Sequence, residues 1–196
     1  KNTFIGDRTG FNNTTGHSNT FMGYFTGLQT TTGNYNTFLG WRCGYANTTG
    51  IKNVFIGAGT SFRSTTGENN VIIGTNSGFY MTTSVDNTYV GHESGYYNTG
   101  SYNTFLGNDS GRGSSGSSGS DNVCIGRRSG YSLTSGISNT FIAVNSGYSN
   151  TTGYYNTFIG RSCGFSNTTG YSNTFIGYQS GYLTTTGFSN TCLLYT

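Results

Sequence analysis

Apolar and polar residues follow one pattern that repeats along the whole chain. An Asn recurs at positions 2, 19, 36, 53, 70, 87, 103, 122, 139, 156, 173 and 190, in steps of 17 residues apart from one of 16 and one of 19. The consensus is N-T-F-I-G-x-x-S-G-Y-x-N-T-T-G-x-x, whose columns we number 1 to 17 from the Asn. Self-similarity at a short fixed period is typical of solenoids and other repeat architectures.

The columns predict short strands separated by bends. The T-F-I segment of columns 2 to 4 is β-branched and aromatic, which favours strand. Columns 5, 9 and 15 are nearly all Gly and indicate three bends per coil. We therefore predict an all-β fold, a parallel β-solenoid (β-roll or β-helix) of about 11–12 coils that forms a single repeat domain over residues 1–196. At about 4.8 Å per coil the rod would be roughly 55 Å long.

Column 3 is expected to fill the interior as a ladder of stacked side chains, and the Asn of column 1 to form an amide ladder. The predicted core ladder consists of Phe4, Phe21, Phe38, Phe55, Phe105, Phe141, Phe158 and Phe175.

Column 4 is aliphatic and directly follows the aromatic column. Because successive strand residues point to opposite faces, an inward column 3 leaves column 4 outside, as an apolar stripe that marks an interface. The alternative is a bend at the following Gly that turns both columns inward. The predicted interface stripe consists of Ile5, Leu39, Ile56, Ile125, Ile142, Ile159 and Ile176.

One repeat departs from the others. Residues 111–121, G-R-G-S-S-G-S-S-G-S-D, lengthen the seventh repeat by two residues and replace its column 10 aromatic by Arg112. A Gly/Ser run can be an interdomain linker. We predict a bulged Gly/Ser surface loop instead, because the columns resume at Asn122.

Composition excludes several classes of protein. The chain has 33 Gly, no Pro, 8% charged and 16% aromatic residues, which fits neither a disordered chain nor collagen. Arg127-Arg128 is the one basic pair, too little for a nucleic-acid partner. No apolar run is long enough for a membrane span. The four Cys residues match no zinc or redox motif, and we expect buried free thiols, with an interchain disulfide as the alternative.

No catalytic constellation is recognisable, so we expect neither an enzyme nor a cofactor. His17 and His92 occupy different columns, and the acidic residues do not cluster in sequence. Asp7, Glu93 and Asp109 share the turn after column 5, in coils taken to be well separated. His92 and Glu93 are neighbours, but an exposed turn is favoured over a metal site.

Four N-T-T sequons are candidate glycosylation sites, which would mark surface loops of a secreted protein. They begin at Asn13, Asn47, Asn150 and Asn167, all in column 12. The alternative is that N-T-T-G is simply a favourable turn, since Asn, Thr and Gly all favour turns.

The N-T-F-I-G strand and its Gly- and Ser/Thr-rich return, repeated along the whole chain, resemble the head repeats of trimeric autotransporter adhesins and the repeat stalks of tail-fibre-like proteins. The resemblance implies a fibrous, multi-chain structure, extracellular or on a cell surface.

The leading functional hypothesis is a structural protein, a segment of an extracellular fibre, filament or adhesin stalk. Its partner would be itself, as a homo-oligomer or filament, with glycans as further possible partners. The alternative is an ice-binding β-solenoid, because columns 2, 13 and 14 are rich in Thr. Repeat rods need polar terminal units. Leu193, Leu194 and Tyr195 are apolar and are expected to contact protein at the end of the stack.

Overall fold

A computed structural model of the protein describes residues 1–193 and confirms the predicted fold. Twelve three-residue strands form one parallel sheet in chain order, so that the chain winds through about 11 turns of a β-solenoid. The strands are β1 Thr3–Ile5, β2 Thr20–Met22, β3 Thr37–Leu39, β4 Val54–Ile56, β5 Val71–Ile73, β6 Thr88–Val90, β7 Thr104–Leu106, β8 Val123–Ile125, β9 Thr140–Ile142, β10 Thr157–Ile159, β11 Thr174–Ile176 and β12 Thr191–Leu193.

Every strand pairs with the next one column on column. In β10 and β11, for example, Phe158 lies opposite Phe175 and Ile159 opposite Ile176. The register survives the long seventh repeat, where Phe105 of β7 lies opposite Cys124 of β8. Because the residue types in a column are nearly constant, this register places similar side chains directly above one another in adjacent coils.

The interior is a ladder of column 3 side chains. Phe21, Phe38 and Phe55 are fully buried, and their rings stack nearly parallel at centroid distances of 4.7 Å. The ladder residues Phe105, Phe141, Phe158 and Phe175 are buried as well, whereas Phe4 of the first coil is partly buried. Stacked rings add to the large apolar area that each Phe removes from water, so this ladder is the main stabilising feature of the core.

The column 1 Asn residues form a second, polar ladder inside the coil. The Oδ1 of Asn139 accepts hydrogen bonds from the backbone N–H of Asn156 at 3.0 Å and from its Nδ2 at 3.1 Å. The Nδ2 of Asn139 donates to Asn122 Oδ1 at 3.0 Å and to the carbonyl of Gly153 at 2.8 Å. Each buried amide therefore has partners in the neighbouring coils, which is the condition for burying polar groups without penalty.

The bends differ from the three that Gly alone predicts. Gly of columns 5 and 9 has positive φ, as at Gly40 (136°) and Gly44 (57°). Columns 7 and 17 also adopt the left-handed conformation, although they hold mostly other residues, such as Arg42 (φ 51°) and Lys52 (φ 57°). Column 15 Gly does not have positive φ. A Cβ at Gly33 would lie 2.6 Å from the carbonyl oxygen of Gly50, so the close approach of the next coil requires Gly there.

The two extra residues of the seventh repeat form a small bulge. Ser114, Ser115 and Gly116 are exposed, and Gly116 has nothing within 4 Å of its Cβ position. Ser117 is buried again, and its hydroxyl lies 3.1 Å from the carbonyl of Leu133. Since β7 and β8 pair on either side, the segment does not interrupt the sheet.

Candidate interaction surfaces

The outer face of the sheet carries columns 2 and 4. In the strands, the central residue is buried and its two neighbours are partly or largely exposed, because side chains alternate between faces. The alternative in which a bend turns column 4 inward is therefore wrong. Of the predicted stripe, Ile5 and Ile176 are exposed, and the half-buried members are Leu39, Ile56, Ile125, Ile142 and Ile159.

This face, which we call the sheet face, is columns 2 and 4 of β1 to β12. It contains no charged residue, and column 2 is Thr in nine coils and Val in three. The side-chain hydroxyls of these Thr residues make no hydrogen bond to residues 1–193, whereas column 13 hydroxyls donate to the next coil, as Thr151 does to Thr168. The sheet face is thus a continuous strip of methyl groups and outward hydroxyls. Leu193 lies on it and is exposed; Leu194 and Tyr195 lie outside the described residues.

The glycosylation prediction is wrong for three of the four sequons. The side chains of Asn47, Asn150 and Asn167 are fully buried, because column 12 points into the coil. The Nδ2 of Asn150, the atom that would carry a glycan, donates to Asn167 Oδ1 at 3.0 Å. Asn13, in the first coil, is partly buried and its Nδ2 is inaccessible. The N-T-T-G segment is a bend in the chain, which agrees with the alternative that these residues serve the backbone and not a glycan.

Column 10 forms a second aromatic ladder, on the outside. Tyr131 and Tyr148 stack at 5.0 Å with ring planes 3° apart, and the ladder continues through Phe165 and Tyr182. The rings cover one another's faces and present their edges to solvent. This arrangement stabilises the stack but leaves few ring faces for a ligand.

Arg112 keeps this ladder continuous where the aromatic is missing. Its guanidinium lies 5.3 Å from the ring centroid of Tyr96 and 5.7 Å from that of Tyr131, the column 10 residues of the neighbouring coils. Its Nε also lies 2.8 Å from Glu93 Oε2. A planar cation thus replaces a ring, as cation–π attraction allows.

The acidic turn residues are closer together than the sequence analysis proposed. Glu93 and Asp109 occupy column 7 of adjacent coils, and with His92 they bring three potential ligand atoms within 4.8 Å of one another. However, Arg112 pairs with Glu93, and Arg128 lies 3.5 Å from Asp109. Two guanidinium groups already neutralise the two carboxylates, so the cluster is an ion-pair network that a metal cation would have to displace.

The cysteines are free. Cys43, Cys124 and Cys163 are buried, and Cys192 is partly buried. Burial raises the pKa of the Cys43 and Cys124 thiols well above their usual range and that of Cys163 to about 12. A protonated, inaccessible thiol is a poor nucleophile, so these three side chains act as small apolar core residues.

The edge beside the sheet face, formed by columns 6 and 7, is the chemically most varied part of the rod. It holds eight of the fifteen Lys, Arg, Asp and Glu residues and the single Trp of the chain. Tyr24 and Trp41 are 45% and 49% exposed there. The sequence analysis considered the acidic and basic residues of this edge but passed over Trp41 and Arg42, for which the signal was the lone Trp followed directly by Arg.

Comparison with protein-family models, with curated proteins and with solved structures finds no match to the chain. Residues 1–193 contain no helix of the length and apolarity that crossing a membrane demands, and no pocket opens among them.

Proposed function

We propose that the protein is a structural segment of an extracellular fibre, filament or adhesin stalk, whose copies associate through the sheet face. The observation that carries the proposal is the uncharged, aliphatic and Thr-rich strip along all twelve strands. Contiguous exposed apolar strips of this length usually mark an interface. The extracellular setting follows from the resemblance to adhesin and tail-fibre repeats.

A second copy of the chain is the partner that fits the strip best. The sheet face repeats at the strand spacing, about 4.8 Å. Only a surface with the same axial period can make the same contact at every coil, and the same face of another copy has that period. The absence of charge also allows the two faces to meet without leaving a buried unpaired ion.

The size of the strip suits an interface that grows with rod length. Twelve three-residue strands span roughly 55 Å by 10 Å, or about 550 Å² per partner. Stable complexes typically bury about 800 Å² per partner, so columns 16 and 17, at the border of the strip away from columns 6 and 7, would supply the remainder.

Replacement of Ile159 tests the proposal. We expect the purified protein to form oligomers or filaments, measured by light scattering after gel filtration and by negative-stain microscopy. Ile159→Asp should dissociate them, because it buries an unpaired carboxylate at the interface, while circular dichroism stays unchanged.

Thr169→Asp is the matched control, since Thr169 is exposed in column 14 of the same coil, outside the sheet face. It should leave assembly intact. A wild-type protein that remains monomeric at high concentration, or an Ile159→Asp oligomer as large as the wild type, would refute association through this face.

Ice binding is a second candidate, supported by the free hydroxyls of column 2. Nine Thr residues point outward in runs of three, two and four coils separated by the Val residues of column 2, and within each run they have the constant axial spacing that an ice-matching surface requires. The mixed Ile, Leu, Met and Val of column 4 make the same face less regular. Thermal hysteresis in the monomeric wild type, lost in Thr157→Tyr, would establish this function in place of assembly.

A further inference from the structure

A patch of aromatic and cationic side chains lies on the column 6–7 edge of the first three coils. It consists of Arg8, Tyr24, Phe25, Trp41 and Arg42, and we call it the Trp41 patch. The Arg42 guanidinium lies 4.7 Å from the Trp41 ring centroid and 5.9 Å from that of Phe25. Arg8 approaches Phe25 from the coil before, at 5.5 Å. The two guanidinium groups are therefore held by stacking on aromatic rings.

The cations of this patch have no carboxylate partner. The ion pairs among residues 1–193 involve Arg112 and Arg128, and none involves Arg8 or Arg42. The Nε of Arg42 is buried and makes no hydrogen bond within residues 1–193, so a ligand can meet the guanidinium only through its two terminal Nη atoms. These atoms are not buried and also make no hydrogen bond to the described residues. Stacking has thus positioned a pair of donors whose natural partner is a carboxylate.

The surroundings restrict the class of partner. A membrane surface or a nucleic acid calls for a cluster or stripe of many basic residues, and this patch has two, next to the acidic Asp7. Residues 1–193 form no pocket that could enclose a small molecule. The patch instead offers a flat aromatic surface beside a guanidinium group. These two features suit an extended polymer of sugar rings in which a ring carries one carboxylate. The C–H face of a pyranose packs on Trp or Tyr, and its carboxylate can meet Arg42.

We propose that the Trp41 patch binds an acidic polysaccharide, with a uronic acid residue seated on Trp41 and its carboxylate paired with Arg42. Tyr24, one coil earlier in the same column, supports the adjoining sugar, and Arg8 adds a second cation. The site lies beside the sheet face and not on it, so copies joined through that face keep the patch available. The rod would then carry a glycan-binding site at a defined height along its length.

Binding to polygalacturonate, compared with the fully methyl-esterified polymer, tests the proposal. The wild-type protein, in whatever assembly state it adopts, is titrated with each polymer by isothermal calorimetry. We expect binding to the free acid only. Trp41→Ala and Arg42→Gln should each weaken it by about tenfold or more, the loss of one charge-assisted contact or one stacking surface.

Two controls separate a built site from general attraction. Tyr178 is 53% exposed in the same column but lies far along the rod, and Arg63 stacks on Tyr80 on another face. Tyr178→Ala and Arg63→Gln should change affinity by less than about twofold. Equal losses in Arg63→Gln and Arg42→Gln would show diffuse charge attraction and overturn the proposal. Equal binding of the methyl ester would overturn the role of the carboxylate. Equally tight, equally variant-sensitive binding of poly-glutamate would overturn the assignment to a sugar.

Discussion

At the scale of single residues, each column is defined either by backbone conformation or by the distance to the next coil. The left-handed conformation of columns 7 and 17 costs about 1 kcal/mol for a residue with a Cβ, yet Arg42, Lys52 and many others adopt it. The N–H groups of these residues donate to the preceding coil, Arg42 to Tyr24 and Lys52 to Asn34, and these hydrogen bonds fix the turns. Column 15 is different, because Gly33 needs no unusual φ and is required by its contacts with the next coil, of which the shortest is to Gly50.

Gly33→Ala should therefore destabilise the protein through contact alone. The new Cβ would lie 2.6 Å from the Gly50 carbonyl oxygen and 3.0 Å from Asn47 Nδ2, so the two coils must separate. We expect the free energy of unfolding to fall by about 2–3 kcal/mol, the usual cost of overpacking. Urea denaturation followed by circular dichroism measures it.

Gly116→Ala is the control for backbone strain. Gly116 has a φ of 87° but open space around its Cβ position. Its replacement should cost about 1 kcal/mol. If Gly116→Ala were the more damaging change, conformation and not contact between coils would explain the Gly columns.

At the scale of the coil, the stack tolerates irregularity where the chain faces solvent. The seventh repeat places its extra residues in the exposed bulge Ser114–Gly116, while Ser117 returns to the interior and Arg112 continues the outer ladder. Strands β7 and β8 keep their register. Length variation is therefore absorbed at the column 11–12 turn.

A flexible peptide of ten Gly and Ser residues inserted between Ser115 and Gly116 should leave the fold intact. Within residues 1–193, no hydrogen bond to another coil involves Ser115 or Gly116, only the local bonds between Ser114 and Ser117 span that point, and exposed loop tips accept insertions. The thermal midpoint should stay within a few degrees of the wild type. The same peptide inserted between Thr151 and Thr152 should lower it markedly, because the hydroxyl and N–H of Thr151 both bond to Thr168. Equal effects at the two sites would contradict this account.

The sequence predicted what depends on periodicity and missed what depends on local geometry. Ladders such as Phe141–Phe158 follow from identical residues at a constant interval. The periodicity did not predict which way column 12 points. Asn150 lies outside the strands, where side chains do not simply alternate between two faces, and so a buried amide was interpreted as a glycan acceptor. Glu93 and Asp109 were taken to lie in well-separated coils, although they occupy consecutive repeats and approach each other. The Trp41 patch has no period at all, so a search for columns could not find it.

At the scale of the whole molecule, the rod is an array of nearly equivalent coils, each packed against its neighbours. Each strand contacts only the strands before and after it in the chain. Stability should then depend on coil number and on the interfaces between adjacent coils, as in other repeat proteins.

Deletion of residues 139–155, one complete coil, should give a folded protein that is shorter by about 4.8 Å. Strand β8 would pair with β10 column on column, because the two carry the same pattern. Small-angle scattering measures the length and circular dichroism the fold. Deletion of residues 139–150 is the control, because it removes only part of a coil. It should abolish cooperative unfolding, since the Asn and Phe columns no longer align. A cooperative transition in that variant would contradict the requirement for register.

The direction of the Asn hydrogen bonds gives the buried Asn ladder an electrical polarity. In the sheet backbone, Thr157 N–H donates to the following coil and Gly160 N–H to the preceding one, so these dipoles oppose each other. The side-chain amides do not alternate: Asn156 donates to Asn139 and Asn173 to Asn156. Within this ladder, amide dipoles of about 3.5 D therefore add along the axis, as they do in an α-helix, with the positive end toward the first coil. The backbone N–H groups of columns 9, 11 and 13 point the other way, as Gly164, Ser166 and Thr168 do in donating to the following coil. The two sets of amides oppose each other, so the ladder distinguishes the two ends of the rod without giving the whole rod a large dipole.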